Sequence, residues 1–193
     1  MSDVIWRRVR YMLTPQWDIY DSISKLTKYA KVLEVGFGTG AGVVQYSTNA
    51  ASVYALEVDP HAVAFAKKMF PLPDVFWMEG DIVEHQGFGM NRFDVVIMIE
   101  VLEHIPDWER ALREVRKVMA VGGVLIISAR NLNADLRRNE LHEREWTALE
   151  FKDNLSRFFG EVKLVDYQLN PVGTDTNITP LVALAYKTEA GDD

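Results

Sequence analysis

The segment Val32-Leu33-Glu34-Val35-Gly36-Phe37-Gly38-Thr39-Gly40-Ala41-Gly42 constrains this chain more than any other. An apolar strand carries one acidic residue near its end, then breaks into alternating glycines ahead of a helix. Glycines at such a turn let the main chain approach a ligand where a Cβ would collide with it. The following helix turns its unpaired N–H groups and the positive end of its dipole toward the same place. Strand, glycine turn and helix together predict a site for a small, nucleoside-like molecule.

The rest of the chain alternates between strand and helix patterns, which predicts an α/β fold with a mainly parallel sheet covered on both faces. Thr14-Pro15 reads as an N-cap followed by proline at the first helical position, opening a helix to about Lys28. Strands are expected over 31–36, Ser52–Glu57, Val75–Met78, Phe93–Ile99 and Val124–Ser128, the last entered through a turn at Gly122-Gly123. Between them, helices are expected over Ala41–Thr48, after the Asp59-Pro60 cap, and after Asp107 with Trp108, Ala111, Leu112, Val115, Val118 and Met119 on one stripe. Thr147-Ala148-Leu149-Glu150 fits a capping box for a helix to Phe159. Glu161–Leu169 and Thr179–Lys187 complete the pattern as strands. Their connection, Asn170–Ile178, is too short for a helical crossover and makes the final pair antiparallel.

Composition bounds the alternatives. With 193 residues, 48% hydrophobic and 25% charged, a single domain over 1–193 is expected, with 1–29 as an N-terminal helical cap and 189–193 as a flexible tail. No apolar run approaches membrane-spanning length, and the stretch holding Arg7, Arg8 and Arg10 lacks a signal-peptide core. The expectation is a cytoplasmic protein without membrane insertion. The absence of cysteine excludes disulfides, a thiolate nucleophile and a cysteine metal site, and no metal site is expected. A net charge of −7 argues against an extended nucleic-acid footprint, which leaves a small-molecule substrate as the expected partner.

Four carboxylates fall where strands end, on the rim where open α/β sheets bind ligands. Glu34 precedes the first glycine, Glu57 closes the second strand, and Asp81 and Glu100 follow the third and fourth. Carboxylates only accept, so they suit hydroxyls, an exocyclic amine or an ammonium. Gly36-x-Gly38-x-x-Ala41 also satisfies the loose nicotinamide-dinucleotide fingerprint, so an NAD(P)-dependent oxidoreductase on a Rossmann-like fold is an alternative. However, no Lys or Arg occurs between Val32 and Ala66. A pyrophosphate beside Glu34 would be poorly matched there, whereas a ligand bearing a sulfonium and an ammonium is well matched.

Over roughly residues 15–187, the chain resembles the class I S-adenosylmethionine-dependent methyltransferases. The matching segments are Glu34–Gly40, Ala55-Leu56-Glu57-Val58-Asp59-Pro60, Gly80-Asp81-Ile82, Phe93-Asp94-Val95-Val96, Glu100-Val101-Leu102-Glu103-His104-Ile105 and Val121–Ile127, in the family's order. The resemblance implies a three-layer Rossmann-like fold with a seven-stranded sheet whose last strand is antiparallel. S-adenosyl-L-methionine would be the cofactor and S-adenosyl-L-homocysteine the product. By the same resemblance Gly36, Gly38 and Gly40 face the methionine part and Glu34 helps hold its ammonium. Glu57 takes both ribose hydroxyls, Asp81 the adenine amine, and Val58 and Ile82 flank the adenine ring. Tyr20 would lie over the methionine part, and Glu100 would line the site by its backbone or its carboxylate.

His104, just beyond the fourth strand, is the candidate catalytic base, although a histidine here could equally brace the loop. His142, Glu143, Arg144 and Glu145 are read as solvated charge in preference to a substrate contact, and Trp6, Arg7, Arg8, Arg10 and Tyr11 as a solvated helix face. The glycines could instead serve strand–helix packing, Glu57 and Asp81 could be surface caps, and Asp59 is assigned to capping. The exit of the fourth strand lacks the Asn/Asp-Pro-Pro-aromatic tetrapeptide of base-modifying enzymes, and Glu100 and Glu103 are too close together to resemble the paired glutamates of protein arginine methyltransferases. The expected reaction is therefore methyl transfer to an oxygen or nitrogen atom of a small or carrier-bound metabolite. A catalytically silent module that binds the cofactor is the remaining alternative.

Overall fold

The computed structural model describes residues 16–84, 87–134 and 142–188. The Thr14-Pro15 cap, the arginine-bearing start of the chain and the tail from Glu189 lie outside them. The strands are β1 (Lys31–Val35), β2 (Ser52–Glu57), β3 (Val75–Glu79), β4 (Phe93–Ile99), β5 (Met119–Ala129), β6 (Glu161–Val165) and β7 (Leu181–Tyr186). The helices are α1 (Gln16–Leu26), α2 (Ala41–Ser47), α3 (Pro60–Met69), α4 (Trp108–Val118) and α5 (Ala148–Ser156). All seven strands form one sheet in the order β3-β2-β1-β4-β5-β7-β6. β1 to β5 run parallel, and β7 is antiparallel to both β5 and β6. This is the α/β architecture expected, including the antiparallel final pair.

Successive side chains of a strand point to opposite faces, and β1 shows how the two cores follow from that period. Leu33 and Val35 join the core made with α4 and α5, through Trp108, Leu112, Val115, Phe151 and Leu155. Val32 joins the opposite core, made with α1, α2 and α3 through Ile19, Ile23, Val43, Tyr46, Val63 and Ala66. Glu34 shares that second face, where its carboxylate meets two tyrosines.

Local chemistry sets the helix ends. Asp59 caps α3 by accepting from the His61 N–H at 2.9 Å, and Asp107 caps α4 by accepting from the Arg110 N–H at 3.2 Å. Thr147 and Glu150 form the expected reciprocal capping box of α5. Several boundaries differ from expectation. Met119 is not the end of the α4 stripe but the first residue of β5, and Gly122-Gly123 lie within that strand instead of before it. The β4–β5 register shifts between Phe93 and Val95, and Gly122 has φ +81. The glycine pair therefore makes an irregularity that the strand runs through. A Cβ on Gly123 would stand 2.8 Å from the Ala120 carbonyl oxygen, so backbone crowding demands glycine there. β6 stops at Val165 because Asp166 folds the chain back, accepting from the N–H groups of Gln168 and Asn170.

Strand order reverses between β1 and β4, which lie side by side while their chain neighbours go opposite ways. Open sheets leave a crevice at such a point, outside the carboxyl ends of the strands. The glycine turn after β1 and the Glu100–His104 segment after β4 both open onto it.

Candidate functional site

The glycine turn has three left-handed residues, with φ +72 at Gly36, +58 at Gly38 and +83 at Gly40. What a side chain would meet differs sharply among them. A Cβ on Gly36 would stand 2.4 Å from Val101 Cγ2, and one on Gly40 would stand 2.9 Å from the ring of Trp77. Packing therefore accounts for those two. A Cβ on Gly38 would meet nothing within 4 Å, so no protein atom requires glycine there. The space beside Gly38 is open for a ligand to lie against the main chain.

Glu57 is buried at the end of β2 and is bound to this turn. Its Oε2 accepts from the Gly38 N–H at 2.9 Å, and its Oε1 accepts from the Asp59 N–H at 3.1 Å. Two backbone donors fix the carboxylate's orientation while leaving lone pairs on each oxygen for hydroxyls. This is more than a surface cap. Asp81, partly buried after β3, accepts from the Val83 N–H at 2.9 Å, which rigidifies the third rim segment. Val58 is 61% exposed at the end of β2, whereas Ile82 is buried in the core beside α4.

Glu34 is engaged differently from the others. Tyr20 donates its hydroxyl to Oε1 at 2.6 Å and Tyr46 donates to Oε2 at 2.5 Å. The two tyrosine rings are nearly parallel, and Tyr20 lies against the bare Cα of Gly42, where a Cβ would stand 2.3 Å from the ring. Tyr46 had no sequence signal beyond its place in a short helix. Burial pushes the Glu34 carboxyl from 4.5 up to about 7, although both tyrosine hydroxyls favour the ionised form. Between those two values the unfolded chain releases a proton that the folded chain retains, so this group's stabilisation is lost as pH rises through that window. At full burial the loss is on the order of 3 kcal/mol. Urea unfolding at pH 5 and pH 8 is expected to show this decline, and Glu34→Gln is expected to make it shallower by Glu34's share, with Glu100 contributing to what remains. An unchanged pH slope in the folded variant would remove Glu34 as its source.

After β4 the backbone of Glu100 takes φ +55, an unusual state for a residue other than glycine. Ser128 of β5 holds it there, accepting from the Glu100 N–H at 2.9 Å and donating to Oε1 at 3.1 Å. Burial raises the Glu100 carboxyl from 4.5 to about 7, against the Ser128 hydrogen bond and the Arg130 charge. This turn in the chain delivers Val101 onto Gly36 and leads into the 3₁₀ turn Leu102–His104. His104 is exposed and meets the ring of His142 edge to face at 4.9 Å.

The solvated-charge reading holds for the exposed Glu143 and Arg144 and is overturned for His142 and Glu145. Glu145 has only 5% of its side chain exposed and His142 only 8%, and they pair at 2.8 Å through His142 Nδ1. Arg130 Nε lies 3.5 Å from the same carboxylate oxygen. The Glu143 and Arg144 N–H groups donate to the Glu103 carbonyl oxygen, so the loop is laced to the 3₁₀ turn. Charge-rich sequence hid this burial, since only tertiary contact pairs Glu145 with Arg130.

Residues 33–127 match a family described as the methyltransferase domain. The chain is 30% identical over 137 residues to a probable S-adenosylmethionine-dependent methyltransferase of Mycobacterium tuberculosis, covering 68% of this chain and 49% of that protein. It is also 30% identical over 105 residues to the ubiquinone biosynthesis O-methyltransferase of Citrobacter koseri, covering 53% of this chain and 43% of that one. The chain thus spans about half the length of the curated relatives it matches. Among solved structures, an S-adenosylmethionine-dependent methyltransferase from Aquifex aeolicus superposes with a TM-score of 0.70 at 18% identity, covering 95% of this chain and 97% of that one. That likeness is one of fold.

Proposed function

The chain belongs to the class I S-adenosylmethionine-dependent methyltransferases, and from that membership we propose that the protein moves a methyl group from S-adenosylmethionine to an oxygen or nitrogen atom of a small or carrier-bound metabolite. The observation that carries the assignment of the site is the pairing of Glu57 with Gly38. A buried carboxylate is anchored to the one glycine of the turn whose missing side chain leaves space no protein atom fills. In this reading the ribose hydroxyls donate to Glu57, and the methionine part runs along Gly36, Gly38 and Gly40. Its ammonium takes a lone pair of Glu34, with Tyr20 and Tyr46 as that carboxylate's other partners. Asp81 receives the adenine amine, exposed Val58 and the rim of Ile82 flank the ring, and Glu100 closes the methyl end.

Transfer is an in-line displacement. The acceptor's lone pair forms a bond to the methyl carbon as the carbon–sulfur bond breaks, and that bonding pair stays on sulfur. The donor is already activated, so alignment and a matched electric field supply most of the acceleration. An alcohol acceptor must also lose a proton, and His104 stands at the β4 exit where that proton would be held whenever its ring lone pair is not given to a metal ion. An acceptor oxygen agrees with the printed name of the Citrobacter koseri relative.

Calorimetry with S-adenosylhomocysteine and with NADH tests the cofactor, and transfer of labelled methyl to metabolite fractions tests the reaction. Binding of S-adenosylhomocysteine alone, followed by label transfer, is the expected result. Binding of NADH alone would overturn the reading. Tight S-adenosylhomocysteine binding without transfer to any fraction would favour a silent binding module.

A further inference from the structure

Among the described residues, Glu103 is the buried acid of this region whose two carboxylate oxygens are both unsatisfied acceptors. It is 0% exposed, yet neither Oε1 nor Oε2 has a donor at full hydrogen-bond geometry, and the Glu103 and Arg130 N–H groups favour the carboxylate only weakly. An orphaned buried carboxyl is costly, and such groups mark a missing ion or water. Its surroundings indicate which. One donor atom each from Glu103, His104 and His142 lie within 4.8 Å of one another. Ligands about one ion at 2.1 Å stand about 3.4 Å apart, so small ring rotations close the set. We propose that Glu103, His104 and His142 bind a divalent first-row transition-metal ion, Zn²⁺ or Mn²⁺, at the exit of β4.

The surrounding contacts support this set. His142 Nδ1 lies 2.8 Å from Glu145 Oε1, so this carboxylate holds the imidazole ring in its orientation beside His104. Carboxylates behind ligating histidines do this work in metal sites, fixing the ring and its tautomer. The Glu143 and Arg144 N–H groups tie the loop to the Glu103 carbonyl, which keeps His142 over the 3₁₀ turn. The exposed ring of His104 marks the side from which an ion enters. Two histidines and one carboxylate leave at least one coordination position for water or an acceptor oxygen. Binding of the ion is independent of the methyltransferase reading, and only its use by an acceptor rests on that reading.

The test uses the full chain stripped with a chelator, titrated calorimetrically with Zn²⁺ and with Mn²⁺, with the spin resonance of Mn²⁺ as a second readout. One ion per chain is expected. His142→Ala and Glu103→Gln should each weaken binding roughly 100-fold, and Glu145→Gln roughly 10-fold, the range for a residue that orients a ligand. Failure of both ions to saturate the protein overturns the site, as does binding that His142→Ala leaves unchanged. His142→Ala decides the matter alone if Glu103→Gln fails to fold. S-adenosylhomocysteine affinity, measured on the same preparations, should not move with His142→Ala. Absent metal binding with intact S-adenosylhomocysteine binding would sink the metal site and leave the methyltransferase reading standing.

Discussion

Glu57→Ala is expected to lower affinity for S-adenosylhomocysteine by about 5- to 150-fold, or roughly 1–3 kcal/mol, measured by calorimetry on protein whose thermal unfolding remains cooperative. Two losses combine. The ribose hydroxyls lose a charged acceptor, and the Gly38 and Asp59 N–H groups lose the carboxylate that holds the turn in place. Glu57→Gln separates them. One amide oxygen still accepts, while the amide nitrogen now faces a donor, so an intermediate loss is expected. An unchanged affinity in folded Glu57→Ala would remove this residue from the cofactor site and leave Asp81 as the acid most in need of the same test.

The second large effect comes from the glycine turn, and it is a contrast between neighbours. Gly36→Ala places a methyl 2.4 Å from Val101 Cγ2 on a backbone with φ +72. Left-handed backbone costs a non-glycine residue roughly 1 kcal/mol and overpacking roughly 1–3, so urea unfolding should report a loss of about 2–4 kcal/mol. Gly38→Ala has the same handedness at φ +58 but meets no protein atom, so its stability cost should stop near 1 kcal/mol. Its methyl instead projects into the space beside the Glu57 carboxylate, and cofactor affinity should fall. Val101→Ala in the Gly36→Ala background should recover part of the lost stability, because the two side chains compete for one volume. Equal stability costs at Gly36 and Gly38 would show that the Val101 contact is not what excludes a side chain.

The contrast shows why the glycine turn was readable only in part. Alternating glycines after an acidic strand announce close approach, and they do not tell what approaches. Val101 and Trp77 approach Gly36 and Gly40, whereas Gly38 faces space. The same limit applies to Glu34. Its place near the end of β1 was plain, but its two tyrosine partners come from α1 and α2 and are brought together by packing. At Gly122-Gly123 the turn signal was real, yet the pairing of β5 with β4 and β7 carried the strand straight through it.

Among the described residues no helix is long and apolar enough to cross a membrane. At the exit of β4 the fold gathers Glu103, His104 and His142 into one cluster. That cluster joins residues thirty-eight positions apart in the chain, from His104 to His142.

Element order, the capping residues, the strand-end carboxylates and the antiparallel close of the sheet were written in the sequence, because periodicity, caps and glycine act over a few neighbouring residues. Which carboxylates are bound by backbone, which by tyrosines and which stand unpaired was decided by tertiary structure alone. Desolvation and hydrogen bonding depend on what the fold brings alongside, and Gly38 reaches Glu57, Tyr20 and Tyr46 reach Glu34, and His142 reaches Glu103 from distant stretches of the chain.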